Sequence, residues 1–590
     1  MCGIFGYVGK NNNAAQITLE GLKLLEYRGY DSWGVAAKEN KKFVVEKHVG
    51  KIGSATLKLS IINRKSSIAI GHTRWATHGG VTVKNAHPHL DCTKTIAVVH
   101  NGIVENFQEL RRDLQKKGHR FISETDTEII PHLIEEFQRK EGFTSSVRDA
   151  FNKLKGLNAI VVANAKSAEI IAAKNGSPLV VGVANDGSYI ASDLIGISDH
   201  TNKVVFLKDN EMIILGKNIK LLSLPKGNKL KEKIEKINFK FEKSSKGNFE
   251  HFMIKEIYDQ PKIIRNIARN YTDQARKMSH LVERAKGIFF IGAGTAYNAA
   301  LAGNYLFSKK VHKHVNTSVA SEFNYLEDFL NKESLVIALS QSGETIDVIE
   351  PLSIAKKKGS KIIAVTNSIG STIYRVADFN VLLNAGQEKA VASTKAYTAK
   401  LCVILMLVFA LIKKENEAGL LLNDVAKEAE RILEDNNIKK IKEIAKTLKD
   451  SKNIYVIGRG LSYPSALEAS LKIKEVSYIP AEGLAGGELK HGTIALIEKG
   501  TPCIVFAPED ETLESIISNA TEIKSRGGVI IGVSSKKSDV FDYFIEVKNL
   551  GEATFIAQII PLQLLAYYLA VYKGLDPDKP RNLAKSVTVK

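Results

Sequence analysis

The chain has 590 residues and a mass of 64.8 kDa, too long for a single hydrophobic core, so two to four domains are expected. Hydrophobic residues at 44% against 25% charged exclude wholesale disorder. Lys and Arg number 83 against 64 Asp and Glu, a formal +19. That surplus suits anionic small molecules, and without an Arg-rich, aromatic-interleaved stripe no nucleic-acid partner is expected.

The opening Met1-Cys2-Gly3-Ile4-Phe5-Gly6 has neither the basic start nor the apolar run of a signal peptide. Four scattered cysteines (Cys2, Cys92, Cys402, Cys503) without C-x-x-C spacing argue against a disulfide framework or zinc ribbon, and the expected compartment is the reducing cytoplasm. Through about residue 215, short β-branched runs (68–70, 96–99, 159–163, 204–207) mix with helical stretches at 14–26 and 127–136. The Lys-dense segment 226–246, with eight Lys and three Glu, reads as a solvated linker.

Beyond about residue 285 the pattern becomes strand, Gly-rich turn and helix in repetition, the signature of parallel sheets flanked by helices. An internal repeat is present. Ile291-Gly-Ala-Gly-Thr-Ala-Tyr-Asn-Ala-Ala-Leu301 aligns with Ile457-Gly-Arg-Gly-Leu-Ser-Tyr-Pro-Ser-Ala-Leu467 at an offset of 166. The apolar run 401–412 is 12 residues long, and 553–572 is interrupted by Gln558, Pro561 and Gln563. Both read as buried helices, and no membrane partner is expected.

The copies differ at one loop. The first reads Ser340-Gln341-Ser342-Gly343-Glu344-Thr345 and the second Ala507-Pro508-Glu509-Asp510-Glu511-Thr512. Hydroxyls and free N–H groups at a helix start hold an anion, whereas Glu-Asp-Glu repels one. Ordinary helix capping is the bland reading of the same hydroxyls.

At the N-terminus, removal of Met1 leaves Cys2 with its own α-amine beside the thiol, a local general base near neutral pH. Arg74, within Gly71-His72-Thr73-Arg74-Trp75-Ala76-Thr77-His78-Gly79, is a fork for a carboxylate. Asn101 and Gly102 offer two N–H donors to a developing oxyanion. Ser123-Glu124-Thr125-Asp126-Thr127-Glu128 offers a carboxylate for an ammonium group, or a helix cap. Together these groups describe a site that hydrolyses glutamine.

These residues, with Tyr27-Arg-Gly-Tyr-Asp-Ser32, resemble the class II, N-terminal-nucleophile glutamine amidotransferases. Over nearly the whole chain, order and spacing are most similar to the isomerizing aminotransferases that use glutamine and fructose 6-phosphate, whose second half carries two sugar-isomerase (SIS) domains. The resemblance implies an α/β multidomain protein. An α-β-β-α glutaminase domain (1–220) and a Lys-rich linker (221–255) would precede two doubly wound SIS domains (256–430 and 431–580) and a catalytic tail (581–590). It implies Cys2, Asn101, Gly102, Lys472, Glu475, His491 and Lys585 as catalytic groups. Arg74, Trp75, Thr77, His78, His87 and Asp126 would hold glutamine, with Trp75 as a gate. Thr295, Ser340, Gln341, Ser342, Thr345, Val391, Ala392 and Ser393 would hold the sugar phosphate.

In that reading Glu475 moves a proton between C1 and C2, with Lys472 assisting from one turn back. By residue pattern alone those two are a surface i,i+3 pair. His491 opens the sugar ring, and Lys585 forms a Schiff base. No cofactor is implied and a homodimer is expected. His87, His89 and Cys92 lack a fourth ligand at zinc spacing, so no metal is expected there. The resemblance implies instead that the stretch is a mobile loop near glutamine. Gly294-Thr295-Ala296 departs from the usual Gly-Thr-Ser, which bears on sugar preference, as does Gly483-Leu-Ala-Gly-Gly487. The alternatives are an amidotransferase of the same build for another keto-sugar phosphate, a non-enzymatic SIS sensor, and an amidophosphoribosyltransferase, whose second half the SIS repeat replaces.

Overall fold

The structure, a computed structural model, describes all residues except Met1, Ser54, Leu59, Ser60, 62–64, Ala168, 238–244, Val589 and Lys590. It divides into two compact units, Met1–Phe241 with Ala584–Lys590, and Glu242–Leu583.

In the first unit two sheets, of eight and seven strands, pack face to face. Gly3–Gly9 lies between Gly187–Ala191 and Ile68–Arg74, antiparallel to both. In the other sheet Ile96–Gly102 lies between His89–Leu90 and Asn158–Asn164. Alternating side chains of the two inner faces (Ile4, Ile70, Val99, Val161) form the central core. The outer face of the first sheet is covered by the helix Ala14–Leu24, and that of the second by Phe107–Lys116, Ile129–Gln138 and Phe143–Lys153. The result is the α-β-β-α arrangement.

The segment 221–255 is not wholly a linker. Lys229–Leu230 pairs with Lys220–Ser223, and Glu235–Lys236 pairs with Lys203–Phe206, each extending a sheet edge. Lysines suit such edges because a charged rim blocks further strand pairing. Residues 238–244 of that segment, Met1 and the last two residues of the tail lie outside the described residues. The expected tail, 581–590, is also divided: Ala584–Lys590 belongs with the first unit and its first three residues with the second.

The second unit holds two five-stranded parallel sheets with one topology. In each the first strand in the chain (Gly287–Gly292 or Ile454–Gly458) lies between the second and the third, giving the order 2-1-3-4-5. Such sheets bind ligands outside the carboxyl ends of strands one and three, where the strand order reverses. In the first sheet those ends lead into Gly294-Thr295 and Ser340–Thr345. The helix Lys395–Leu411 is buried along its length, as its apolar run suggests. Gly551–Tyr572 has the length and hydropathy of a membrane span, but 89% of its most apolar 18-residue stretch is buried in the core shared by both sheets.

Each copy is closed by one tight strand-to-helix approach. A Cβ on Gly292 would lie 2.6 Å from the backbone carbon of Ala296, and one on Gly458 2.3 Å from the carbonyl oxygen of Ser462. Gly292→Ala and Gly458→Ala are each expected to cost about 1–3 kcal/mol or more, because backbone rather than a movable side chain must yield. Thermal unfolding of the two variants checks this, and an unchanged midpoint in either contradicts the close approach.

Candidate active sites

The register of the central strands builds the first site. Gly3 pairs with Thr73, whose hydroxyl accepts the Gly3 N–H at 3.1 Å, and Ile4 donates to Ser192 Oγ at 3.0 Å. Cys2 is thereby carried to the end of Ile68–Arg74, where the Trp75 N–H donates to its sulfur at 3.2 Å. The Cys2 carbonyl accepts from Asn101 Nδ2 at 3.0 Å and from Arg28 Nε at 3.3 Å. Arg28 is itself bound to Asp193 at 3.1 Å, and Asp31 accepts the Ala76 N–H at 2.8 Å. Both come from the Tyr27–Ser32 motif, so the sequence carried a signal for residues that hold Cys2 and the turn after Arg74. Burial pushes the Cys2 thiol above its ordinary value, while the Trp75 N–H and the Arg74 charge pull it down.

One pocket is lined by Cys2, Arg74, Trp75, Thr77, His78, His87, Asn101, Gly102 and Asp126. All the expected glutamine-site residues therefore meet. Gly102 sits at φ +136, and a Cβ there would fall 2.3 Å from the Leu157 carbonyl oxygen, so its position is open only to glycine. Asn101 is oriented by His72, whose Nε2 lies 3.1 Å from Asn101 Oδ1. Asp126 accepts the Val104 N–H at 2.8 Å.

Two expectations are refined. The Arg74 fork donates to the carbonyls of His78, Gly79 and Gly80, so it also braces the turn that follows it. The Ser123–Glu128 run is not a side-chain cap. Glu128 reaches back to accept Ile122 N, Ser123 N and Ser123 Oγ at 2.6–2.8 Å, fixing the turn that carries Asp126. Thr588, which the sequence reading missed, also lines the pocket, its hydroxyl buried without a hydrogen-bond partner among the described residues. No local pattern in the tail signals it.

His87 and His89 do not join Cys92. His87 stacks on His72 at 4.1 Å between ring centres, and His89 Nε2 is 3.1 Å from Thr125 Oγ1. Cys92 instead lies beside His119, His132 and Glu135, which corrects the expectation that it lacks further ligand groups.

In the second unit the helix Ser462–Ser477 packs against Thr295–Leu306 of the other copy. Lys472 is not on the surface. It is fully buried, ion-paired to Glu475, 3.5 Å from Glu468, and donates to Thr295 Oγ1 at 3.0 Å. Burial opposes the Lys472 charge, but Glu475 and Glu468 outweigh it and raise its pKa. Glu468 accepts from Thr295 Oγ1 at 3.1 Å and Asn298 Nδ2 at 2.8 Å. Sequence reading missed Glu468, although Glu468, Lys472 and Glu475 share one helix face.

Thr345 makes no side-chain cap to the helix Ile346–Lys357, while Ser340 Oγ accepts the Gly343 N–H at 3.0 Å and Ser342 Oγ the Glu344 N–H at 3.2 Å, so these two hydroxyls brace the loop itself. In the second copy Asp510 takes the Thr512 N–H at 2.8 Å and Glu509 pairs with Lys536, closing that loop on itself. Val391 and Ala392 are buried, and Ser393 donates to Glu388 at 3.1 Å. His491 stands exposed on the short turn Glu488–His491, so its own chain does not enclose it with Lys472. Lys585 is half-buried and belongs to the tail segment that packs with the first unit.

Burial holds the His72 ring down to about 3 from an ordinary 6.5, and His87 and His89 also lie well below that value because burial disfavours their charge. A depressed ring contributes stability that is fully present above about pH 6.5 and is lost as pH falls from there toward 3. Stability of the first unit should therefore drop on acidification, by about 1.4 kcal/mol per pH unit for His72 alone. Denaturant titrations between these limits test this: His72→Gln should flatten the slope, and an unchanged slope would contradict it.

Comparison with known proteins shows the family to which the chain belongs. The family model "SIS domain" matches residues 281–410 and 447–572, and "Glutamine amidotransferase domain" matches 72–199. Proteins named glutamine–fructose-6-phosphate aminotransferase [isomerizing] from Thermococcus kodakarensis and Pyrococcus horikoshii are 43% and 44% identical, each alignment covering 100% of both chains. A solved C-terminal domain of glucosamine-fructose-6-phosphate aminotransferase from Francisella tularensis superposes with a TM-score of 0.54 and 31% identity, over 57% of this chain and 100% of that one. With a full-length match at this identity, the chain belongs to the isomerizing glutamine–fructose-6-phosphate aminotransferase family.

Proposed function

We propose that the chain transfers the amide nitrogen of glutamine to fructose 6-phosphate, giving glutamate and glucosamine 6-phosphate. The observation that carries this reading is the convergence of the Cys2 sulfur, the Asn101 amide, Arg74 and Asp126 on one pocket.

With Met1 removed, the Cys2 α-amine takes the thiol proton and sulfur attacks the amide carbon. Asn101 Nδ2 and the Gly102 N–H face the oxyanion. The C–N bond breaks, ammonia leaves with the proton, and water hydrolyses the thioester to glutamate. Arg74 and Asp126 suit the carboxylate and ammonium of the amino acid.

At the sugar, Ser340, Gln341, Ser342 and Thr345 hold the phosphate, with Thr295, Val391, Ala392 and Ser393 around the substrate. His491 opens the ring. Lys585 condenses with the C2 ketone, releasing water, and ammonia displaces the lysine nitrogen to leave a C2 imine. Glu475 then moves a proton from C1 to C2 while the C1 hydroxyl proton passes to the imine nitrogen, which converts the C1 alcohol to the aldehyde and the C2 imine to the amine of the amino sugar. Lys472 fixes the Glu475 carboxylate by their ion pair. Because His491 is exposed on its own chain, we assign it to the site of a second copy in a cytoplasmic homodimer.

Three outcomes are expected. Purified chain with glutamine and fructose 6-phosphate yields glucosamine 6-phosphate; Cys2→Ala yields it only from ammonium, and loss with both donors would contradict two separate sites. Asn101→Ala lowers glutaminase kcat by about 10²–10³-fold while sparing ammonium-driven synthesis. Mixed dimers of His491→Ala and Glu475→Gln chains regain activity that neither homodimer has; no recovery would contradict a shared site.

A further inference from the structure

Four donor atoms from three separate elements meet at one edge of the first unit: Cys92 Sγ, His119 Nδ1, His132 Nδ1 and Glu135 Oε2. All lie within 4.8 Å of one another. Cys92 Sγ is 3.5 Å from His132 Nδ1 and 3.8 Å from His119 Nδ1; Glu135 Oε2 is 3.4 and 3.2 Å from the same two nitrogens. A tetrahedral zinc ion with bonds of about 2.0–2.3 Å sets its ligand atoms about 3.3–3.6 Å apart. Four of the six separations are thus close to those of a zinc site, small side-chain shifts suffice to close the remaining two, which lie within 4.8 Å, and one thiolate with one carboxylate neutralises the ion's charge.

The surroundings are built as a metal site requires. His119 turns its other nitrogen to Glu136 Oε2 at 3.3 Å, the carboxylate–histidine arrangement that fixes a ligand ring. His132 Nε2 is buried without a hydrogen-bond partner among the described residues, 3.9 Å from Glu128. Cys92 is presented by a turn that Asp91 organises through the N–H groups of Thr93 and Ile96 at 3.2 and 2.7 Å. Both rings are buried, Glu135 is 16% exposed and Cys92 is exposed. An ion can therefore enter from the Cys92 side.

We propose that Cys92, His119, His132 and Glu135 bind one structural Zn²⁺ per chain. Four protein ligands leave no open position for catalysis, and none of the four lines the Cys2 pocket. The ion ties the turn after His89–Leu90 and the segment after Phe107–Lys116 to the helix Ile129–Gln138. Through Glu128, which holds Ile122 and Ser123, it also braces the turn that carries Asp126.

The full chain, stripped with chelator, is titrated with Co²⁺ and then Zn²⁺. One Co²⁺ per chain should bind with a thiolate-to-cobalt charge-transfer absorption that Zn²⁺ displaces. That absorption should persist in Cys2→Ala and vanish in Cys92→Ser, whose exposed position makes it safe for folding. Glu136→Gln should weaken binding roughly 10–100-fold. Zn²⁺ should raise the unfolding temperature of the parent and not of Cys92→Ser. Absence of stoichiometric binding by the parent, or an absorption that Cys92→Ser retains, would overturn the proposal.

Discussion

The register of one strand pair governs the first half of the molecule. Gly3–Gly9 and Ile68–Arg74 are locked by Gly3 on Thr73, and this pairing alone puts the Cys2 sulfur under the Trp75 N–H. A slip by one residue turns every side chain to the opposite face. The inner-face core of Ile4, Val8, Ile68 and Ile70 would then point outward, so hydrophobic burial enforces the placement of Cys2. The strand Ile96–Gly102 of the facing sheet adds Asn101 and the glycine-only corner at Gly102 by the same logic of register against Asn158–Asn164.

The second half depends on a buried charge. Lys472 stays protonated in a core because Glu468, Glu475 and Thr295 surround it. Removing one partner of such a cluster leaves an uncompensated buried ion, so the group behaves as a unit. Its members come from both copies of the repeat, since Thr295 and Asn298 belong to the first and Glu468 and Lys472 to the second. The duplication therefore does more than build two similar sheets. One copy contributes the hydroxyl-rich loop at its strand-order reversal, and the other contributes the charged helix.

Much of this was legible before any coordinates. The parallel repeat followed from Gly-rich turns at constant offset, and the glutaminase pocket from the order of its motifs. What escaped the sequence has physical causes. Lys229–Leu230 and Glu235–Lys236 are edge strands, whose lysines look the same as those of a solvated linker. Lys472 and Glu475 read as a surface pair because helical spacing does not reveal which neighbour covers that face. His119 and His132 stand 27 and 40 residues from Cys92, and only the packing of the helix Ile129–Gln138 and the segment after Phe107–Lys116 beside the second sheet brings them together. Thr588 reaches the Cys2 pocket from the far end of the chain, a closure no local pattern encodes.

The account stands on nitrogen passing from an amide at Cys2 to a carbon of the sugar. Glutamine carrying heavy nitrogen in its side-chain amide, supplied with fructose 6-phosphate and unlabelled ammonium ions in solution, measures this directly. The account predicts heavy nitrogen on C2 of the amino sugar, formed in step with glutamate and in excess of any light-nitrogen product. Product carrying only the light nitrogen of the solution, or glutamate formed without any amino sugar, would contradict it.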